Sequence, residues 1–587
     1  MKHVFVPSHP RVGYVVAVTL LLFGCAGRAQ FIPQDGAAYD EAGSLIFADG
    51  GGVHHDGGDD VHHDGGDGVT GDGPTRDRPD SSSLRDTQAD GPAADMPSPL
   101  PSGAVFISPS GSDRNPGTQE RPWKTWSHAL SKLGPGDTLV ALAGVYGVST
   151  ATGALQVNCS AGGTTCAGGP CLNGTSSAPI TVMSYPERGA FLQGEVGAAD
   201  RLIYLKDCSH WILAGLRVEG VDDADAGGYA VVQVRDCDNV TLKRMLGARA
   251  NRYFNSSVFA IEYSTNVLVE ECEAYDFHRA AVSLYRASEI TVRRNYFNAR
   301  LRPNLSGGHV SYCYSPGIDA NSRGVYMFGA SKSTIENNVA EELCVGFSIS
   351  PSGAMGDDNK IAGNMVLGTF RTGYSLSSDC NDASPCTDPA RIAERNHYLD
   401  NVATGGVMGY YFRGAIGTQL EHASAINYSG AGYRFDEVPE NAGLASTVAI
   451  STALAVTSTG EEGFVVIAQK TWSLRDCNAY GNQTSDYRTS GPVGASYDPQ
   501  LGGCLVYIPA GTPGKAAVAD GSDVGANIVF RTEDGTLTGE KLWDASTGAF
   551  PCGVPVPGLS DDTGFPDSAC VNVHHRLHVG TSGCPIP

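Results

Sequence analysis

One short segment returns ten times between residues 211 and 479. It reads WILAGLRV, VTLKRMLG, VLVEECEA, ITVRRNYF, STIENNVA, NKIAGNMV, HYLDNVAT, LEHASAIN, VAISTALA and WSLRDCNA. Aligned on Leu216, Met245, Cys272, Asn295, Asn338, Asn364, Asn401, Ser424, Ala453 and Cys477, the copies are spaced 29, 27, 23, 43, 26, 37, 23, 29 and 24 residues apart. Self-similarity at such a period is the mark of a solenoid, in which each turn buries its apolar face against the next. Apolar residues alternate with period two, so the units are strands and not helices. A chain of this length need not divide into several cores, because a solenoid grows by stacking. Ten turns at a rise of ~4.8 Å predict a rod core of roughly 50 Å.

A second strand recurs as Gly-apolar-x-apolar, beginning at Gly324, Gly346, Gly373, Gly409, Gly432 and Gly463. Earlier copies start without the glycine at Ile203, Val232 and Val282. Asn295, Asn338, Asn364 and Asn401 occupy one aligned position and predict a structural ladder of stacked amides, at a place where asparagine also tolerates left-handed backbone. Two residues earlier stand Lys243, Glu270, Arg293 and Glu336; one residue earlier stand Arg244, Glu271 and Arg294. Opposite signs on successive turns predict ionic ladders on an exposed face rather than substrate ligands.

The solenoid is preceded by FISPSGSDRNPGTQERPWKTWSHAL, residues 106–130. Val105–Ser108 reads as a strand and the Gly, Asp and Asn-Pro that follow as turn chemistry. Thr125 can cap a helix to Leu133 whose Trp126, Ala129, Leu130 and Leu133 share a face, and Gly134-Pro135-Gly136-Asp137 stops it. This run (Ser108, Pro109, Gly111, Asp113, Asn115, Pro116, Gly117, Thr118, Pro122, the helix, Pro135, Gly136, Asp137, Gly144, Tyr146) resembles the N-terminal cap of right-handed parallel β-helix proteins of the pectate-lyase-like superfamily. The fold expected is therefore all-β: a single right-handed parallel β-helix of about ten or more rungs, with an N-terminal capping helix and a Cys-rich C-terminal cap. The expected organisation is a signal at 1–25, an acidic tether at 26–103, the β-helix at 104–490 and the disulfide-rich C-terminal region at 491–587.

Composition bears on the ends and on the partner. Residues 31–100 hold 15 Asp or Glu against three Arg, about half of the chain's net charge of −23, with no apolar periodicity. Such a segment cannot offset its ordering entropy by burial. Within it His54, His55, His62 and His63 lie in two copies of VHHDGGD, readable as a metal-binding tract or as an expanded tether. Lys2, Arg11 and the 13-residue apolar run 12–24 read as an export signal. Leu22-Phe23-Gly24-Cys25 resembles the bacterial lipoprotein box, which implies lipidation of Cys25 and an extracytoplasmic, lipid-anchored protein; a plain secretory signal is the alternative. Net negative charge argues against nucleic acid and requires a local basic patch, or a bound cation, for any anionic substrate.

Sixteen cysteines suit an oxidising compartment. Without Cys25 they number fifteen, so at least one thiol is left over or pairs with another chain. Cys380 and Cys386 enclose a short loop, Cys504, Cys552, Cys570 and Cys584 suit a stapled C-terminal region, and Cys208 and Cys237 share a context 29 residues apart. No pair of CxxC motifs supports zinc.

The spacings of 43 and 37 mark insertions, which in solenoids become loops on one face. The first carries Arg300, Arg302, His309, Tyr312, Tyr314, Asp319 and Arg323; the equivalent loops of the two preceding turns carry Arg249, Arg252 and Tyr253, then Tyr275, Asp276, His278 and Arg279. Stacking predicts one patch of guanidinium groups for uronate carboxylates, rings for sugar faces and candidate proton acceptors. The superfamily resemblance implies carbohydrate chemistry: β-elimination by a Lys or Arg base with Ca2+, or hydrolysis by paired Asp. No DD plus GHG set is found, and His278 or Arg279 is the candidate base. Asp222, Asp223 and Asp225 resemble the Asp cluster that holds Ca2+ in some pectate lyases, or form an ordinary acidic turn. Two readings result: a surface lyase or hydrolase of an extracellular acidic polysaccharide, or a non-catalytic adhesion or carbohydrate-binding rod, monomeric in either case.

Overall fold

The structure, a computed structural model, describes residues 100–542 and Cys584, apart from 149–154, 160–171, 197–200, 222–229, 252–255, 278, 300–312, 314–321, 352–355, 379–390, 437–446, 458, 468–470, 490–492, 506 and 534–535. It is a right-handed parallel β-helix. A typical turn uses three strands, for example Ala230–Arg235, Asp238–Lys243 and Leu246–Ala248. The first strands form one sheet of twelve from Leu155–Asn158 to Ser485–Arg488, and the second and third strands form the other. Twelve stacked strands at ~4.8 Å span roughly 50 Å. No helix among the described residues is long and apolar enough to cross a membrane.

The N-terminal end is closed as expected. Thr125 accepts a hydrogen bond from the His128 N–H and caps the helix Trp126–Leu130, which buries Trp126, Ala129 and Leu130. The helix stops three residues short of Leu133, where the chain tightens into turns. Asp113 accepts from the backbone of Lys124 and Thr125, and the Tyr146 hydroxyl donates to Ile107 O.

The amide ladder is present. Each Nδ2 donates to the next Oδ1 (Asn295 to Asn338, 2.9 Å; Asn338 to Asn364, 2.9 Å; Asn364 to Asn401, 3.1 Å), and each Oδ1 also takes the preceding backbone N–H. Two details differ from the sequence reading. The left-handed residue at this corner is the one before the ladder, as at Arg244, Glu271, Arg294, Asn337, Asp400 and His422. And Val402 pairs with Ser424, so the slot after Asn401 belongs to Ala423, not Ser424. Ser424 faces away and accepts the N–H of Ala526. A second, shorter ladder joins Asn359 to Asn396 at 2.9 Å.

The glycines of the first strands are a packing requirement. A Cβ on Gly373 would lie 2.4 Å from Ala403 Cβ, and one on Gly409 2.6 Å from Ala425 Cβ. Gly346, Gly373, Gly409, Gly432 and Gly463 each precede an inward ring of the column Phe347, Tyr374, Tyr410, Tyr433 and Phe464, which Tyr487 continues; neighbouring rings lie 4.6–5.4 Å apart. The small residue beside each ring thus lets the first strand approach the alanines of the third strand closely. The Tyr374 and Tyr410 hydroxyls donate to Asn364 O and Asn401 O, so the rings also tie to the ladder corner.

The ionic ladders form, but around buried carboxylates. Glu270, 4% exposed, binds Lys243 (3.1 Å), Arg293 (2.8 Å) and Arg294, and Glu271 binds Arg244 and Arg294. Burial opposes the charge on Glu270, yet Arg294, Lys243 and Arg293 hold its pKa below the ordinary value.

Beyond the last turn, Asn478 bonds to Tyr497 and the stack is closed. The described part of the C-terminal region then runs along a flank. Leu501, Ile508 and Val524 cover Ile426 and Leu454; Tyr507, Ala526, Ile528, Val529 and Leu542 cover Val402, Met365, Val339, Tyr296 and Leu246. Cys504 is disulfide-bonded to Cys584. Where this strap crosses the ladder corner, Asp400 accepts the Asn527 N–H at 3.2 Å. Burial pushes the Asp400 carboxyl from 3.8 up to about 6, with Asp523 and Glu421 adding to the rise and His422 and the Asn527 N–H opposing it. The raised value means that the protonated form is favoured by folding: its stabilisation is complete below pH ~4 and is lost as pH rises through about 6. Asparagine accepts the left-handed backbone of residue 400 (φ 50°) and carries no charge. Asp400→Asn is therefore expected to gain about 2 kcal/mol relative to wild type at pH 7.5 and little at pH 4. Chemical unfolding at the two pH values checks this, and parallel pH profiles for the two proteins would refute it.

Candidate functional site

Side chains of the first strands that point away from the coil's core alternate with those inside it, although Gln233, Ala260 and Ser283 among them are themselves buried. Register stacks Tyr204, Gln233, Ala260, Ser283 and Tyr326 in one column, and Lys206, Arg235, Glu262, Tyr285 and Phe328 in the next. Beside them, Arg323 pairs with Ala280, one residue after Arg279. The Arg323 guanidinium carbon lies 4.2 Å from the centre of the Tyr326 ring and that of Arg279 5.5 Å from the same centre. Arg201 lies 4.8 Å from the Tyr204 ring and donates to Gln233 (3.2 Å), Arg235 lies 5.3 Å from Tyr263, and Arg286 5.4 Å from Tyr285. The rings form a run: Tyr263 to Tyr285 is 5.2 Å, Tyr285 to Phe328 5.5 Å and Phe328 to Tyr326 5.2 Å.

Glu262 stands on this surface, its carboxylate 3.6 Å from Arg235. Burial raises its pKa, against the pull of Arg235, a hydrogen bond from Gln233, and Arg279 and Arg201. Arg235 pairs with both Glu262 and Asp236, and Arg279 and Arg201 also act on Glu262, on a chain of net charge −23. Guanidinium groups laid on aromatic rings suit anions carried on a ring-shaped scaffold: the cation meets the charge and the ring meets the apolar face. A carboxyl that holds its proton above the ordinary range suits proton transfer.

The sequence-predicted patch divides here. Arg279 and Arg323 come together on Tyr326. Tyr275 lies under the C-terminal strap, 5% exposed, with its hydroxyl donated to Glu273, which also binds Arg188. Arg249 and Asp276 are left-handed corner residues next to that third strand, Arg249 3.8 Å from Glu219. Arg252, Tyr253, His278, Arg300, Arg302, His309, Tyr312, Tyr314, Asp319, the three aspartates Asp222, Asp223 and Asp225, and Cys25 lie outside the described residues. Within the first insertion Cys313 is described, and it is disulfide-bonded to Cys344 at the corner preceding Val345. The two insertions leave different corners: 300–321 lies before a first strand, 379–390 after one. Among the described residues no group of three or more His, Cys, Asp or Glu is placed to hold a metal ion.

Sequence reasoning missed Arg201, Gln233, Arg235, Glu262 and Tyr326. For Gln233, Arg235 and Tyr326 the signal lies in the alternate positions of the repeated first strand, VQVR and VYMF; Glu262 falls in FAIE, a copy the repeat does not reveal, and Arg201 precedes its strand.

Residues 201–388 match the family model described as a right handed beta helix region. Over 131 residues the chain is 28% identical to the uncharacterized protein YwoF of Bacillus subtilis (strain 168). That match covers 22% of this chain, and about a quarter (24%) of the relative's length. Among solved structures it is similar to pectate lyase Pel9A (12% identity, TM-score 0.35, covering 80% of this chain and 96% of that one). It is also similar to a mannuronic acid specific polysaccharide family 6 lyase from human gut microbiota (13%, 0.42, 66% and 81%). A GH87 alpha-1,3-glucanase from Streptomyces thermodiastaticus strain HF3-3 shows the same order of likeness (13%, 0.38, 67% and 71%). These are likenesses of fold, spread over chains of very different sequence.

Proposed function

We propose that the outer face of the first strands binds a linear acidic polysaccharide laid along the coil, and that Glu262 transfers a proton to it. The observation that carries this reading is the pair Arg279 and Arg323 on the Tyr326 ring, with Arg279 also acting on the Glu262 carboxyl, whose pKa burial raises. A uronate carboxylate meets the guanidinium groups and the sugar ring meets the aromatic surface. Beyond Tyr326 the column continues through Ser348 and Ser375 to Tyr411. In elimination, a base takes the C5 proton of the uronate, the C4–O bond breaks, and a donor protonates the leaving oxygen. Glu262 suits the donor role, since its raised pKa keeps the proton available.

The same reading has a lipid on Cys25 and the acidic tether holding the rod at a membrane face outside the cytoplasm. It also allows Ca2+ at Asp222, Asp223 and Asp225 to assist, which chelation during the assay tests.

The test is binding of polygalacturonate, alginate and a neutral glucan, with ultraviolet absorbance reporting any unsaturated product. Acidic polymers are expected to bind, and to release as salt rises. Equal or no binding of all three would sink the reading. Glu262→Gln is expected to keep binding while lowering turnover ~100-fold or more. The activity limb governed by Glu262 is expected to fall as pH rises through its pKa, because the protonated form is the working one. Binding without turnover by wild type would favour the adhesion reading, for which the existing Glu262–Arg235 pair is the structural argument.

A further inference from the structure

We infer that Cys208 and Cys237 are a disulfide-forming pair that bolts together two successive turns near the N-terminal end of the coil. Neither residue belongs to the glycan-binding face. Each follows an aspartate in left-handed backbone (Asp207 φ 52°, Asp236 φ 52°), so the two turns present their cysteine side chains in the same direction. The residues that follow, Ser209 and Asp238, are register partners in neighbouring parallel strands. In-register neighbours stand ~4.8 Å apart, inside the Cα window that a disulfide accepts. The sulfur atoms are 2.9 Å apart, and the Cys208 N–H points at Cys237 Sγ at 3.3 Å. Both side chains are buried, each 4% exposed, so no large movement is needed and no competing thiol has easy access.

The position of the pair in the stack matters. The same slot on the next turn is Ser264, whose hydroxyl accepts the Cys237 N–H, so the column offers two cysteines and then a stop. Cys272 and Cys477 provide the contrast. Burial pushes each of their thiols up to about 12, and their sulfurs point at backbone carbonyls. They are inert by burial, as packing cysteines are. The chain already carries the cystines Cys313–Cys344 and Cys504–Cys584, so conditions that make those bonds serve for this one.

The chemistry balances with an oxidant of the disulfide class, small molecule or protein, acting while the turn is still open. One cysteine thiolate attacks the oxidant, forms a mixed disulfide and expels a thiolate. The second cysteine thiolate displaces the remaining half. Two electrons pass from the cysteine pair to the oxidant, and the two cysteine protons end on the departing thiols.

The experiment uses the full chain produced under oxidising conditions. It is denatured without reductant, alkylated, digested and mapped by mass spectrometry. Expected is a cross-linked peptide pair joining Cys208 to Cys237, lighter than the separate peptides by two hydrogens, with Cys272 and Cys477 alkylated. Cys208→Ser is expected to convert Cys237 into an alkylated residue and leave the other cystines in place. Recovery of both Cys208 and Cys237 as alkylated thiols, or of either bonded elsewhere, overturns the inference. The wild-type map decides the question even if the serine variant fails to fold.

Discussion

Asn364→Ala is expected to cost about 4 kcal/mol of stability, enough to threaten folding in a protein whose total is ~5–15 kcal/mol. The residue is fully buried in the ladder. Its Oδ1 accepts both the Asn338 amide and the Asn338 backbone N–H, and its Nδ2 bonds Asn401 Oδ1 and Ile335 O. Alanine leaves two donors of Asn338 and the Ile335 carbonyl buried without these partners, at ~1–3 kcal/mol each. Denaturant or thermal unfolding of the variant gives the answer. A loss below ~1 kcal/mol would mean that the ladder contributes no more than an ordinary surface hydrogen bond. Asn364→Asp should be at least as harmful, because it removes both donors and places a charge where nothing neutralises it.

The largest functional effect is expected from Arg279→Ala combined with Arg323→Ala. Both guanidinium groups lie against Tyr326. A hydrogen bond to a charged group contributes ~1.5–3 kcal/mol, so losing two should weaken acidic-polymer binding about 100-fold or more. Thermal unfolding of the double variant checks that it is folded. Calorimetric titration at low salt, with wild type alongside, measures the change. Unchanged affinity in a folded double variant would remove this face from the binding reaction.

The coil itself was legible because stacking imposes one pattern on every turn. Gly346, Gly373, Gly409, Gly432 and Gly463 were visible as a column in the sequence, and the structure shows why nothing larger fits. The capping run from Phe106 was equally plain, since Asp113, Thr125 and Tyr146 each satisfy local backbone groups. The slip at Ser424 has a physical origin: a small polar residue beside an alanine imitates the ladder position, while the alanine occupies it. What the sequence could not reveal was which outer face the C-terminal strap covers. Tyr275 and Tyr296 look like sugar platforms in a string of letters, but a segment more than 200 residues downstream covers them. Glu262 was hidden for another reason. Its distinction lies in the arginines from other turns that gather round it, which only the register of several strands can align.

The strap along the flank changes how the rod should come apart. A coil whose turns touch only their neighbours behaves like a one-dimensional chain of domains, free to peel from either end. Here residues 501–542 reach from the turn of Leu454 back to that of Leu246, bridging turns that otherwise never meet. Ends and middle are thereby coupled, and melting is expected to be a single cooperative event rather than a stepwise unravelling. A segment made after all the turns it covers is also what latches them into one unit.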